Sequence, residues 1–332
     1  MRANAVVFPD RLKVEYREVT VPDPGPNDVV VQTRYSWISN GTEGSFLRGE
    51  RVNGETPYRA GDPWPFPIAA GYQSTGVVMH LGREVSDVRP GQWLFCTLGR
   101  IDGMYEPYGG HISPKVVERS QIWPLSPEIS PVAASGLVLT QVGYNCGTRP
   151  PIDAGDAALV IGDGLVGHWA AQTLEWRGAK VILAGKHDDR LAFFANGDRN
   201  SCINITREDL AAGINRAAPN GLNVLVDTVG SIPAINECLP LMKHNGHIVS
   251  AGFHGANSLI DVQRLRFGEQ TFHSPSGWEQ RRMDETLALI VTGHLRTENL
   301  ITHRFPVERA ADAWKLILER TDTVLGVVLE WV

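Results

Sequence analysis

The sequence has few of the features that mark secreted, membrane or nucleic-acid-binding proteins. It contains only four cysteines in 332 residues, none of them in a C-x-x-C pair, so neither a disulfide framework nor a zinc lobe is indicated. No apolar run approaches the roughly 18 residues of a membrane span, and the amino terminus lacks a signal peptide's apolar core. A net charge of -6 without basic blocks argues against binding to nucleic acid or anionic membranes. We therefore expect a cytoplasmic protein that acts on a small molecule.

The clearest functional pattern is the glycine-rich stretch Val160–Gly167. It follows an apolar run typical of a buried strand and continues into apolar residues at helical spacing. Gly162 permits a tight turn, Gly164 lets the backbone approach a pyrophosphate, and Gly167 lets the helix pack closely on the strand. The pattern predicts a dinucleotide-binding turn whose contacts are Gly162, Gly164, Leu165, Val166 and Gly167.

The remaining chain indicates two domains of different construction. Residues 1–130 show short strands and turns without helical periodicity, which favours a β-barrel or sandwich. Residues 131–270 alternate strand and helix, which predicts a doubly wound parallel sheet. The tail, residues 271–332, is too short to fold alone, so we expect it to return to the first domain. The predicted class is α/β.

Cofactor choice depends on the end of the second strand of the parallel sheet. In this fold an acidic residue about 20 positions after the glycine turn accepts the ribose 2′-hydroxyl of NAD, whereas basic residues accommodate the 2′-phosphate of NADP. That position is Gly185, followed by Lys186 and His187, so the sequence favours NADP(H). NAD(H) stays open because Asp188 and Asp189 follow, although both are also suited to helix capping. The nicotinamide half of the groove is predicted to be lined by Thr228, Val229, Ala251 and Gly252.

Several motifs outside the glycine turn resemble those of the medium-chain dehydrogenase/reductase superfamily: 71–76 (GYQSTG), 89–93 (RPGQW), 227–230 (DTVG) and 301–306 (ITHRFP). The resemblance covers the whole chain. It implies a GroES-like catalytic domain (1–130 and 271–332), a Rossmann domain (131–270), and hydride transfer between a nicotinamide cofactor and a substrate in the cleft between them. Within the superfamily, 38–43 (ISNGTE) is most similar to the bacteriochlorophyllide a dehydrogenase branch.

The sequence departs from the zinc-dependent members of this superfamily at their metal ligands. Those members have a cysteine where this chain has Ser39 or Asn40, and a His-Glu pair where it has Tyr72 and Gln73. Their third ligand corresponds to the apolar stretch 137–139. Because zinc requires thiolate, imidazole or carboxylate ligands, we expect no catalytic zinc. The lobe that holds a structural zinc is missing as well.

Without zinc, hydrogen-bond donors have to stabilise the developing alkoxide and supply a proton. Tyr72 is the first candidate because it replaces a metal ligand, although a packed aromatic hydroxyl is the alternative. Thr42 occupies the position of the superfamily's hydroxyl relay residue, with Glu43 next to it as a residue that orients other groups. The complete set of predicted catalytic residues is Tyr72, Thr42, Asn40 and His111.

These features predict a zinc-independent, NADP(H)-preferring oxidoreductase that interconverts an alcohol and a ketone or aldehyde. A zinc-free alkene or quinone reductase of the same superfamily is one alternative, and a non-catalytic NADP(H) sensor is another. We also expect a homodimer, partly from the resemblance and partly because an open sheet has edges to protect, with an edge strand around 258–262.

Overall fold

The computed structural model describes residues 1–194, 201–256, 259–319 and 323–332. The strands are β1 Arg2–Phe8, β2 Glu15–Thr20, β3 Asp28–Trp37, β4 Arg51–Asn53, β5 Thr56–Pro57, β6 Ile68–Ala69, β7 Ser74–Leu81, β8 Trp93–Cys96, β9 Gly99–Arg100, β10 Tyr108–Gly109, β11 Ile112–Ser113, β12 Lys115–Glu118, β13 Ile122–Pro124, β14 Ala157–Ile161, β15 Lys180–Gly185, β16 Ser201–Asn204, β17 Leu222–Asp227, β18 Met242–Ser250, β19 Thr271–His273, β20 Ile301–Pro306 and β21 Gly326–Glu330. The helices are α1 Thr42–Leu47, α2 Pro131–Ala134, α3 Leu137–Thr148, α4 Leu165–Trp176, α5 Asp188–Leu191, α6 Leu210–Ala217, α7 Ile232–Cys238, α8 Val262–Phe267, α9 Gln280–Val291 and α10 Ala310–Glu319.

The chain forms two compact units, residues 1–138 with 301–332 and residues 139–300. We call them the barrel unit and the parallel-sheet unit. Together they confirm the predicted α/β class. No helix in the described ranges is long and apolar enough to cross a membrane.

The barrel unit is built mainly from antiparallel strands, and the end of the chain completes it with one parallel pair, β20 and β21. Its larger sheet has the order β13-β8-β7-β3-β21-β20, so a strand near the carboxy terminus lies beside β3. Val328 of β21 pairs with Trp37 of β3. The core behind this pairing contains the fully buried rings of Phe8 and Trp314, which meet edge to face at 5.3 Å between centroids. Burial of these large apolar surfaces ties the tail to the barrel.

The parallel-sheet unit has the strand order β16-β15-β14-β17-β18-β19. Numbered from β14, this order is 3-2-1-4-5-6, that of a doubly wound dinucleotide-binding sheet. The strands are buried on both faces, and each face carries its own apolar core. Because strand order reverses beside β14, the turn after β14 lies at the point where such sheets bind ligands.

The unit boundaries differ from the predicted ones, 130/131 and 270/271. Residues 271–300 lie with the parallel sheet because β19 extends it beside β18. Two hydrogen bonds tie the following segment to the same unit: Tyr144 Oη donates to Glu285 Oε2 (2.8 Å), and Trp169 Nε1 donates to the Arg296 carbonyl (3.2 Å). The tail that joins the barrel unit therefore begins at residue 301.

Two helical stretches are interrupted. Residues 133–144 do not form one helix, because α2 ends at Ala134 and α3 begins at Leu137, with Gly136 between them. A Cβ at Gly136 would approach the Trp37 ring to 2.7 Å, so glycine lets the ring pack against the backbone. The segment from Ile232 to Met242 is α-helical only as far as Cys238 and continues as a short 3-10 helix, Leu239–Leu241, because Pro240 has no amide hydrogen to donate within an α-helix.

The predicted edge strand around 258–262 is not found among the described residues of that range, 259–262. Residue 258 lies outside the described residues, residues 259–261 are not in a strand, and α8 begins at Val262. The outer strand on that side of the sheet is instead β19, which pairs only with β18 among the described strands.

Candidate active site

Glu43 is the centre of a polar group in the barrel unit. After β3 the chain turns into α1, whose second residue is Glu43 with 2% of its surface exposed. Its Oε1 accepts a hydrogen bond from the Ser39 amide at 2.8 Å, and its Oε2 lies 3.0 Å from His111 Nε2. A buried carboxylate is stable only when it is paired and hydrogen-bonded, and both of its oxygens are engaged here. The sequence predicted only an orienting role for Glu43. In the structure its carboxylate connects the Ser39 amide to the His111 ring.

Two glycines allow the segments around this group to approach closely. Gly71 has φ of +80°, and a Cβ there would lie 2.6 Å from the His111 ring. A Cβ at Gly110 would lie 2.1 Å from the Tyr72 amide nitrogen. The segments that carry Tyr72 and His111 are thus packed backbone against backbone, which brings these two predicted catalytic residues near Glu43.

Tyr72 lies among hydroxyl groups and charges. Burial raises the pKa of its phenol above the ordinary value of 10.0, and the Glu43 charge raises it further. Hydrogen bonds with Ser39 and Thr42 and the charge of Arg51 lower the pKa but do not offset burial. The phenol is consequently protonated near neutral pH and is connected to two further hydroxyls, as a proton donor requires.

Arg51 is a member of this site that the sequence did not reveal. Its side chain is 4% exposed, and it donates from Nε to Ser45 Oγ and from Nη1 to the Gly54 carbonyl (2.8 Å). Burial lowers the pKa of Arg51, yet its charge still acts on Tyr72. A single arginine at the start of the short strand β4 carries no local signal for such a role, because its burial is decided by tertiary packing.

Asn40, also predicted as a donor to substrate, forms a hydrogen bond with a distant segment of the barrel unit instead. Its Nδ2 donates to the Leu325 carbonyl at 2.7 Å, in the segment leading into β21. This bond uses the amide group that was predicted to donate to substrate. Asn40 therefore anchors the turn before α1 in the structure, while Tyr72, Thr42 and His111 are the predicted residues that group around Glu43.

The donor set of the barrel unit does not fit a catalytic zinc ion. Ser39 offers a hydroxyl, Gln73 an amide, and Tyr72 a phenol whose raised pKa keeps it protonated. Glu43 and His111 are bonded to each other. Within the described ranges, no three His, Cys, Asp or Glu side chains lie close enough to hold a metal. Because tetrahedral zinc needs at least three such ligands, no step is assigned to a metal here.

The glycine turn of the parallel-sheet unit has the geometry of a pyrophosphate cradle. Gly162 has φ of +119°, and a Cβ at Gly167 would lie 1.9 Å from the Gly162 carbonyl oxygen. Gly164 caps α4, and a Cβ there would meet no atom within 4 Å. Open space in front of the first amides of a helix suits an anionic phosphate. The residues fit a dinucleotide, and Leu165 and Val166 form the first turn of α4 as predicted.

The end of β15 is organised by a carboxylate from the glycine turn. Asp163 Oδ2 accepts hydrogen bonds from the Lys186 amide (2.8 Å), the His187 amide (2.9 Å) and His187 Nδ1 (2.8 Å). Burial would raise the pKa of Asp163, but these bonds outweigh it and the pKa lies below its usual value. Gly185 lies directly beneath the carboxylate, while Lys186 is exposed. The structure thus brings Gly185, Lys186 and His187 together around a residue that the sequence did not single out.

The turns after β17 and β18 lie beside the same glycine turn. A Cβ at Gly162 would lie 2.3 Å from Thr228 Oγ1, and one at Gly252 would lie 1.9 Å from the Gly230 amide. The fully buried Asp227 carboxylate holds the first of these turns by accepting from the amides of 229, 230 and 231. The predicted nicotinamide-side residues, Thr228, Val229, Ala251 and Gly252, therefore share one edge of the sheet with the predicted pyrophosphate turn.

Comparison with known proteins places these two sites in a family context. The family model described as zinc-binding dehydrogenase matches residues 166–292. The chain is 26% identical over 322 residues to 2-desacetyl-2-hydroxyethyl bacteriochlorophyllide A dehydrogenase of Rhodobacter capsulatus, which covers 93% of this chain and 92% of that protein.

Solved structures of dehydrogenases share the fold over almost the whole chain. A dehydrogenase of Sinorhizobium meliloti bound to NADP has a TM-score of 0.82 with 20% identity, covering 99% of each chain. A protein of Escherichia coli described as a short chain alcohol dehydrogenase, complexed with NADH, has a TM-score of 0.85 with 20% identity and the same coverage. One of these two structures holds NADP and the other holds NADH.

Proposed function

We propose that this chain, which belongs to the medium-chain dehydrogenase/reductase superfamily and is a nicotinamide-dependent oxidoreductase, interconverts an alcohol and a ketone or aldehyde without a catalytic zinc ion. The observation that carries the proposal is the group of protein donors around Glu43, which occupies the region where zinc-dependent members have metal ligands. A protonated phenol connected to hydroxyls can perform the acid and base chemistry of such a reaction at oxygen.

Each residue of this group has a role in the proposed reaction. A nicotinamide held by the glycine turn would supply the hydride chemistry, giving a hydride to the carbonyl carbon or, in the reverse direction, taking one from the alcohol carbon. Tyr72 donates a proton to the carbonyl oxygen, and the phenolate is reprotonated from solvent through the hydroxyls of Thr42 and Ser39, which each accept one proton as they pass one on. Glu43 and His111 hold the segments on which these hydroxyls lie. In alcohol oxidation the same groups remove the proton.

Substrate turnover tests this proposal directly. Purified protein is incubated with NADPH or NADH and a panel of ketones, aldehydes, enones and quinones, and cofactor oxidation is followed at 340 nm. We expect reduction of carbonyl groups. Reduction restricted to the C=C bond of enones or to quinones would indicate protonation at carbon instead of oxygen, and tight cofactor binding without any turnover would indicate a nucleotide sensor.

Zinc independence gives a separate prediction. Elemental analysis of purified, active protein is expected to show no stoichiometric zinc, and chelators should leave turnover unchanged, because the donors around Glu43 do not form a ligand set. One tightly held zinc ion per chain, together with activity lost to chelation and restored by zinc, would contradict the proposal. The same measurement on a zinc-dependent dehydrogenase serves as the control.

We further propose a preference for NADP(H), based on the residues after β15. Gly185 carries no side chain that could repel a 2′-phosphate, and the exposed ammonium group of Lys186 follows it. Lys186→Ala is expected to weaken NADPH binding by about 1 to 3 kcal/mol, the scale of a charge-assisted hydrogen bond, and to leave NADH binding nearly unchanged. Lys180→Ala, at the opposite end of β15, is the matched control. Equal losses for both cofactors would show that Lys186 does not contact the phosphate.

Assembly and location remain proposals. We propose a homodimer formed through the outer strand β19, since an uncovered sheet edge presents unpaired backbone groups. Sedimentation at micromolar protein concentration is expected to give twice the chain mass, and a monomer at that concentration would refute it. A cytoplasmic location is likewise a proposal that follows from the sequence composition alone.

A further inference from the structure

The carboxylate of Asp163 occupies the space of a missing side chain. An ideal Cβ built on Gly185 would lie 2.4 Å from Asp163 Oδ2 and 2.6 Å from its carboxyl carbon, so no larger residue fits at 185 without moving Asp163. Position 185 is where an acidic residue accepts the ribose 2′-hydroxyl in an NAD-binding sheet of this kind. The sequence has no acidic residue at position 185, but in the folded chain the Asp163 carboxylate of the glycine turn lies at that position.

The two oxygens of this carboxylate are used differently. Oδ2 accepts from two backbone amides and from His187 Nδ1, all within 2.9 Å. Among the described residues, the partner of Oδ1 is the Arg190 guanidinium, 3.6 Å away, which is an ion-pair contact longer than a hydrogen bond. The hydrogen bonds to Oδ2 fix the carboxylate, and Oδ1 retains capacity to accept a further hydrogen bond.

The other acidic residues near this position, Asp188 and Asp189, have different roles: Asp188 is already paired with protein groups, and both lie in the first turn of α5. Asp188 Oδ1 accepts from Asn204 Nδ2 at 2.5 Å, and its Oδ2 pairs with Arg207. Asp188 and Asp189 are both exposed residues in the first turn of α5, where acidic side chains stabilise a helix amino terminus. Asp163, in contrast, has side-chain exposure of only 9%. Burial and fixation distinguish Asp163 from these neighbours.

We propose that Asp163 is the specificity-determining residue for the adenosine ribose: its Oδ1 accepts the 2′-hydroxyl of NAD(H) and opposes the 2′-phosphate of NADP(H). The inference rests on the proposed nicotinamide-dependent function and deepens it. The preference for NADP(H) then results from two opposed contributions, the cation of Lys186 favouring the phosphate and the anion of Asp163 limiting that preference. Arg190 reduces the repulsion by pairing with Asp163, so both cofactors are accepted.

The test is the substitution Asp163→Asn, with dissociation constants for NADH and NADPH measured by quenching of tryptophan fluorescence. Asparagine keeps an oxygen for the amides of 186 and 187, which places its NH2 group at the position of Oδ1, and it removes the charge. We expect NADH binding to weaken several-fold because the charged acceptor of the 2′-hydroxyl is lost. NADPH binding is expected to stay the same or tighten because a repulsive charge is lost. The ratio of the two constants should shift toward NADPH by about tenfold or more.

Asp188→Asn is the matched control, and it should leave the ratio unchanged. Thermal denaturation without cofactor verifies that Asp163→Asn is folded. An unchanged ratio in folded Asp163→Asn, or a larger loss for NADPH than for NADH, would overturn the inference. If the variant does not fold, Asp163→Glu serves instead: a longer carboxylate cannot occupy the same place above Gly185, so NADH binding should weaken more than NADPH binding, and equal effects would again overturn it.

This outcome is separate from that of the proposed function. A wild-type protein that prefers NADH would refute the proposed NADP(H) preference, yet the shift in ratio on Asp163→Asn would still test the role of Asp163. A wild-type protein that binds neither cofactor would refute the proposed function itself.

Discussion

The substitution Tyr72→Phe is expected to lower kcat by at least about 100-fold while folding and cofactor affinity persist. Phenylalanine keeps the ring and its packing but removes the phenol hydroxyl, a hydrogen-bond donor that burial holds protonated. General acid catalysis and a single donor to a developing oxyanion each contribute on the order of 100-fold or more. Steady-state kinetics with the best ketone from the substrate panel give the measurement.

The pH dependence of the same reaction provides an independent check. Burial raises the pKa of Tyr72 above its ordinary value of 10.0, so the phenol stays protonated at neutral pH and at moderately alkaline pH. Carbonyl reduction should therefore be independent of Tyr72 ionisation at lower pH and decline only in strongly alkaline solution. That alkaline decline should be absent from the residual activity of Tyr72→Phe.

Tyr35→Phe is the matched control because Tyr35 also belongs to the barrel unit, where it stacks on Trp93 at 6.3 Å between ring centroids. It should retain wild-type turnover. Near-normal turnover of Tyr72→Phe, combined with a large loss in His111→Ala or Thr42→Val, would show that the proton comes from a different member of the site.

The glycine turn and its sheet were predictable because their requirements are local. A left-handed backbone at Gly162 and a close helix–strand contact at Gly167 both demand glycine, so the sequence carries the constraint directly. The buried strand β14 is likewise a continuous apolar run, and β17 is apolar apart from Asn223 and Asp227, as expected for a parallel sheet covered on both faces.

The electrostatics of the two sites were less predictable because they depend on residues far apart in sequence. Glu43 meets His111 across 68 positions, and Asp163 meets His187 across 24. Within the glycine motif, position 163 is nominally variable, so the pattern gives no reason to examine it. Only the fold shows that its carboxylate reaches the end of the next strand.

Lys115 in the barrel core is another residue whose environment could not be predicted from the sequence. The sequence offers no sign that it is buried, yet its Nζ donates to Ser74 Oγ (2.6 Å) and to the Thr97 carbonyl (3.0 Å) with no surface exposed. Burial lowers the pKa of this lysine. Gly99 makes the arrangement possible, since a Cβ there would lie 2.3 Å from the lysine stem.

Glu43→Ala is expected to reduce the free energy of unfolding by about 3 to 5 kcal/mol, because it removes the acceptor of two buried groups at once. The Ser39 amide would lose its partner, and His111 would be left with neither ring nitrogen bonded, since its Nδ1 already lacks a hydrogen-bond partner among the described residues. Glu18→Ala, which removes an exposed pair with Arg2, is the control and should cost less than about 1 kcal/mol. Urea denaturation followed by tryptophan fluorescence compares the two.

Glu43→Gln separates the stabilising role of this residue from its charge. The amide retains an oxygen for Ser39 and a polar group for His111, so its cost should be only about 1 to 2 kcal/mol. Its effect on catalysis should appear in the pH profile. Because the Glu43 charge raises the pKa of Tyr72, removing that charge lowers the pKa, and the alkaline decline of carbonyl reduction should move to lower pH. A decline that stays in place or moves to higher pH would show that the carboxylate does not act on the phenol, and Glu43 would then hold the fold of the site without tuning its proton donor.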